Sequence, residues 1–137
     1  MDIKTKEQRS YNMSRIKSKN TKPELVMFKV LKKHGIKFKK HYNISGKPDI
    51  VIPEYKVAVF VNGEFWHGKD YKRIKNRIPK FWKTKIGINL KRDRKVRRDL
   101  RNKNWHVINF WGRKVVRDPE RSFRRLQKFL EKINNQN

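Results

Sequence analysis

Two acids and a histidine carry the chemistry that this sequence offers. Asp49 stands in Gly46-Lys47-Pro48-Asp49-Ile50, Glu24 follows Thr21-Lys22-Pro23, and His67 closes Asn62-Gly63-Glu64-Phe65-Trp66-His67-Gly68. Paired carboxylates with a backbone carbonyl are hard oxygen donors suited to Mg²⁺, which keeps several waters and bridges to a substrate phosphate. An imidazole beside them can take a proton from an attacking water. Each residue also has a plainer reading. Glu24 completes a capping box with Thr21, an Asp after Pro is common in turns, and a His beside a glycine can be a surface side chain. Asn89 and Asp93, spaced to face inward on a long helix, read as packing groups or as supports of the site. In so basic a chain, inward carboxylates need basic partners or a metal, which favours the joint reading.

Certain elements must bring these residues together. Thr21-Lys22-Pro23-Glu24 opens a helix in which Met27, Phe28 and Leu31 fall at i+3, i+4 and i+7 from Glu24. That spacing sets Glu24 on the inward face, and Gly35 stops the helix. Strands are expected at roughly Lys37–Tyr42, Asp49–Ile52 and Lys56–Asn62, the last alternating Val57, Val59 and Val61 against Ala58 and Phe60. The tight link Pro53-Glu54-Tyr55 predicts a hairpin between the second and third. Residues 63–79 read as irregular. A helix over about 80–103, weakened at Gly87, carries Ile86, Leu90, Asp93, Arg97 and Leu100 on one stripe. Trp105–Trp111 is a further strand, and Asp118-Pro119 caps a final helix with Phe123, Leu126, Leu130 and Ile133 at helical spacing. The order α-β-β-β-α-β-α describes an α/β fold, a mixed sheet flanked by helices on both faces. Residues 1–20 form a basic arm ahead of a single domain over 21–137.

Composition bounds the partner. The chain has 137 residues, and 39 Lys and Arg against 12 Asp and Glu leave a net charge of +27. Aromatics at 12% and the periodic segments argue against disorder. Folding against this much self-repulsion makes sense when a polyanion lies against the protein. The longest apolar run, Val57–Val61, is far too short for a membrane span. With no cysteine, disulfides, thiolate zinc sites and cysteine nucleophiles are excluded. The first seven residues lack the apolar stretch of a signal peptide, so a cytoplasmic, nucleoid-associated protein is expected. On composition alone RNA binding, DNA binding and nuclease activity stay open.

The motifs narrow this. Tyr11–Leu31, with Asn12-Met13-Ser14-Arg15-Ile16-Lys17-Ser18-Lys19-Asn20, then Gly46-Lys47-Pro48-Asp49, Phe60–Gly68, Phe81-Trp82, Lys85-Ile86, Asn89, Arg92-Asp93-Arg94, Trp105-His106-Val107 and Trp111 recur in order and spacing. In these the chain closely resembles the very-short-patch-repair (Vsr) endonucleases over about residues 9–130. The resemblance implies a restriction-endonuclease-like, PD-(D/E)XK-type core. It also implies Mg²⁺-dependent nicking of double-stranded DNA, with Mn²⁺ as a substitute, 5′ of the mispaired thymine in a T·G mismatch, by a monomer. Asp49 then matches the metal-binding aspartate, Glu24 the helix carboxylate near the active site, and His67 the water-activating histidine. Val61 matches the position of the second acid in related nucleases and offers its carbonyl to the metal. Phe65 and Trp66 match an aromatic wedge, and Met13 an apolar residue inserted from the opposite groove. Arg15, Lys17 and Lys19 are candidate phosphate contacts, with the run Lys91–Lys103 either joining them or forming a solvated helix face.

The chain also departs from the pattern. Asn62 replaces a second active-site histidine and can hydrogen-bond a phosphate or water without shuttling protons at neutral pH. Glu64, Lys69, Tyr71 and Arg113 occupy the positions where members with structural zinc place cysteines and a histidine, so no zinc is expected. An ion pair of Glu64 with Lys69 or Arg113 is one expected replacement, and Glu64 as an extra metal-side carboxylate is another. Homing endonucleases with a similar catalytic domain share the Glu, Asp and His elements. A nuclease cutting a matched site therefore stands beside the mismatch reading, as does a non-catalytic nucleic-acid-binding module.

Overall fold

A computed structural model describes residues 21–64 and 67–136, and its central feature grows from the alternation along 57–61. Val57 and Val59 pack with Ile50, Ile52, Ile108 and Phe110 in the larger core, whereas Ala58 packs on the opposite face with Leu100 and Val107. A strand with two apolar faces must be covered on both, and helices cover it.

The elements are α1 (Lys22–Lys33), β1 (Lys39–Lys40), β2 (Ile50–Ile52), a 3₁₀ turn (Pro53–Tyr55), β3 (Val57–Asn62), α2 (Tyr71–Ile74), α3 (Lys80–Asn102), β4 (His106–Trp111), α4 (Gly112–Arg117) and α5 (Pro119–Asn135). The four-stranded sheet runs β1-β2-β3-β4. β1, β2 and β3 pair antiparallel, while β3 and β4 pair in parallel from Val57↔His106 to Asn62↔Trp111. A parallel partner requires a long crossover, and α3 supplies it. It crosses the Ala58 face, while α1, α4 and α5 cover the other through Met27, Leu31, Val115, Phe123, Leu126 and Leu130.

Several expectations are met and several are corrected. The hairpin of β2 and β3 forms, turned by the 3₁₀ segment and Lys56 at a left-handed φ of 54°. α1 stops as predicted: Gly35 takes a φ of 72°, its N–H reaching Lys32 O at 3.1 Å and that of Ile36 reaching Leu31 O at 3.0 Å, a Schellman closure. Asp118 caps α5 by accepting from the Arg121 N–H at 3.1 Å. The capping box at α1 does not form. Thr21 makes no side-chain cap bond, and Glu24 is instead only 2% exposed, turned under the sheet. The predicted order also needs two additions, α2 within the stretch read as irregular and α4 directly after β4. α3 runs through Gly87 without a break. Among the described residues no helix is long and apolar enough to cross a membrane. Met13, Arg15, Lys17, Lys19, Phe65 and Trp66 lie outside the described residues, so their expected roles stand as sequence readings.

Candidate active site

Asp49 lies at the mouth of the β2–β3 hairpin, one residue before the first paired position of β2. Its Oδ2 accepts the Val61 N–H at 2.7 Å, so the carboxylate takes a bond that a backbone carbonyl would otherwise supply. In an extended strand the N–H and C=O of one residue point to the same side, which turns the Val61 carbonyl towards Asp49 as well. Glu24 comes to the same point from α1, because the stripe that seats Met27, Phe28 and Leu31 on the sheet also carries residue 24 inward.

Two carboxyls in contact cannot both ionise cheaply in a dry site. Asp49 is pushed up from 3.8 to about 8, first by burial and then by hydrogen bonding and charge from Glu24, with the Val61 N–H opposing the rise. A proton or a cation must therefore sit between them at neutral pH.

A third group completes the cluster. His41 follows β1, and because Lys40 pairs with Ile50, the next step along the ladder brings residue 41 beside Asp49. Its N–H donates to Asp49 O at 3.0 Å, and its backbone is left-handed, φ 47°. One ligand atom from each of Glu24, His41 and Asp49 lies within 4.8 Å of the others. Sequence reading passed over His41. The signal available was the pairing of the first two strands across a short loop, which would have set position 41 opposite 49.

His67 is held elsewhere. Its Nδ1 bonds Asp93 Oδ2 at 2.6 Å, across from α3, and its own N–H reaches Gly63 O at 3.1 Å. Asp93 is thus the group that orients this imidazole. Asn62 extends its amide to Asn109 Oδ1 at 3.3 Å on β4. Asn89 accepts a bond from Arg92 one turn along α3. Glu64 turns to α4, where Oε1 accepts the Arg113 N–H at 3.0 Å and Oε2 meets Arg113 Nε at 3.2 Å. Of its two expected roles Glu64 thus takes the ion pair and stays outside the Glu24–His41–Asp49 cluster. Lys69 sits over the Trp111 ring at 5.9 Å. Beyond the site, an open cleft beside α3 is edged by Lys75, Lys80, Lys83 and Lys91.

Comparison with known proteins adds a separate line. The family described as DNA mismatch endonuclease Vsr matches residues 1–73. The chain is 45% identical to type II nicking enzyme V.NmeDIP of Neisseria meningitidis serogroup C, over 86% of this chain and 82% of that protein. It is 41% identical to type II nicking enzyme V.HpaIIP of Haemophilus parainfluenzae, over 95% and 96% respectively. It is 33% identical to DNA mismatch endonuclease Vsr of Escherichia coli K12, over 80% and 72%.

Proposed function

The chain belongs to the DNA mismatch endonuclease Vsr family, and from that premise we propose that it nicks duplex DNA 5′ of the mispaired thymine at T·G mismatches. It is a DNA endonuclease acting on mismatched or site-specific DNA; the lesion, the cation and the residue roles are the proposal. The observation that carries it is the contact of Glu24 with Asp49 beside the Val61 backbone. The donors fit Mg²⁺, with Mn²⁺ as a substitute: two carboxyls and a carbonyl offer hard oxygens, and a dication would offset the burial, and after it the nearness of Glu24, that push Asp49 up to about 8. Asp49, Val61 O and Glu24 would hold it. Held by those groups, a divalent ion would supply Lewis-acid chemistry, polarising a phosphate oxygen and lowering the pKa of a nearby water.

The chain's own groups do the rest. Asp93 accepts the Nδ1–H of His67, which leaves the Nε2 lone pair free to take a proton from water. Asn62 offers an amide N–H to a phosphate oxygen. Arg15, Lys17 and Lys19 neutralise backbone phosphates, and Phe65, Trp66 and Met13 enter the base stack, which costs least where pairing is already poor. The α/β layering with an acid at the mouth of a hairpin supports a restriction-endonuclease-like core.

The test is a nicking assay over every mismatch and its paired control. T·G duplex is nicked with Mg²⁺, matched duplex is not, and Asp49→Asn abolishes nicking while retaining binding. Cleavage of fully paired DNA at one sequence would replace this reading with a site-specific one. Binding with no cleavage in either ion would leave a non-catalytic module.

A further inference from the structure

We propose that His41 is a nitrogen ligand of the cation, which makes the site a two-carboxylate, one-imidazole centre and tilts its selectivity towards Mn²⁺. This rests on the reading that Asp49 and Glu24 hold a divalent ion, and it names a protein ligand that the sequence reading lacked.

Ligands on one octahedral ion at about 2.1 Å lie roughly 3.0 Å apart when adjacent and about 4.2 Å apart when opposite. Glu24, His41 and Asp49 present donor atoms all within 4.8 Å of one another, close enough for side-chain rotation to gather them on one centre. The His41 Nε2 to Glu24 Oε2 separation of 4.0 Å is longer than a hydrogen bond and near the spacing of opposite ligands.

Placement of the ring is fixed before any ion arrives. The His41 N–H is tied to Asp49 O, and the ring stands edge-on to Phe28 with centroids 5.9 Å apart at 85°. Phe28 belongs to the apolar stripe of α1 that also carries Glu24, so one helix face sets both the acid and the wall behind the imidazole. His67, tied through Nδ1 to Asp93, stands outside this cluster and keeps a separate task. Oxygen donors alone suit Mg²⁺, whereas an added imidazole favours later divalent ions, and Mn²⁺ accepts both donor types.

A plainer role exists for His41, as an imidazolium that offsets the two acids without touching the ion. Pulsed EPR of the full chain loaded with Mn²⁺ separates the two, because only a ligating ring nitrogen couples to the electron spin. We expect nitrogen modulation in the wild type and in His67→Ala, and its loss in His41→Asn. Asn is chosen because it tolerates the left-handed backbone at this position. By calorimetry the Mn²⁺ Kd should rise about tenfold in His41→Asn and the Mg²⁺ Kd by about threefold or less. Mn²⁺ bound in an Asp49-dependent way without nitrogen modulation, or modulation lost in His67→Ala but kept in His41→Asn, overturns the assignment while sparing the cation site. Mn²⁺ binding that is absent, or unchanged in Asp49→Asn, overturns the cation site and this proposal with it.

Discussion

Asp49 sits where its own charge is unwelcome, and the pH dependence of stability follows. Its folded pKa of about 8 lies above the ordinary 3.8, so between these values the folded protein holds a proton that the unfolded chain has released. The stabilisation is complete below the ordinary value and is lost as pH rises through about 8. In metal-free protein the melting temperature of wild type relative to Asp49→Asn should therefore fall between about pH 5 and about pH 9, read by calorimetry. A constant difference would show that Asp49 titrates normally. At His67 the hydrogen bond to Asp93 fixes the tautomer. Asp93→Asn can present an amide N–H to Nδ1 and so favour the wrong one, and nicking should slow on the order of 10²-fold with DNA affinity unchanged. Equal loss of both would make Asp93 a structural support only.

The elements position the acids through close approaches that a side chain would spoil. A Cβ at Gly112, the first residue of α4, would lie 2.9 Å from Pro23 Cγ, next to Glu24. Gly112→Val should push α1 off α4, cost about 1–3 kcal/mol and reduce nicking as Glu24 moves. Gly87→Ala, where nothing lies within 4 Å, should instead stabilise α3 by roughly 0.5–1 kcal/mol. Thermal melts of the two variants check both signs. This scale also shows what the sequence made legible. Val57–Val61 announced a two-faced strand, Gly35 and Asp118 announced helix ends, and helical spacing put Glu24 indoors. The Thr21–Glu24 spacing also suggested a cap, and burial beside Asp49 prevailed over that local pattern. α2, a single turn, is too short to show a period, and α4, only six residues, follows β4 directly. His41 lies just past the two paired residues of β1, and its partnership with Asp49 emerges only once the register of the first two strands is set.

Across the whole molecule the charge of +27 sets the terms of DNA encounter. The cleft edged by Lys75, Lys80, Lys83 and Lys91 extends that field beyond the site. Each phosphate contact removed should flatten the log–log salt dependence by about 0.9, so Lys83→Ala with Lys91→Ala should reduce it by about 1.8 without altering the preference among mismatches. An unchanged slope would place this cleft off the DNA path. The tie between Glu64 and Arg113 has a different reach. It joins the segment after β3 to α4 with a carboxylate and a guanidinium, 13% and 86% exposed, in a chain without a single thiol. If Asp49 and Glu24 hold a divalent ion as proposed, a chelator would strip it yet leave this brace standing, and peroxide finds no sulfur there to oxidise. On that reading, activity lost to metal starvation should return as soon as the ion does, with no refolding in between.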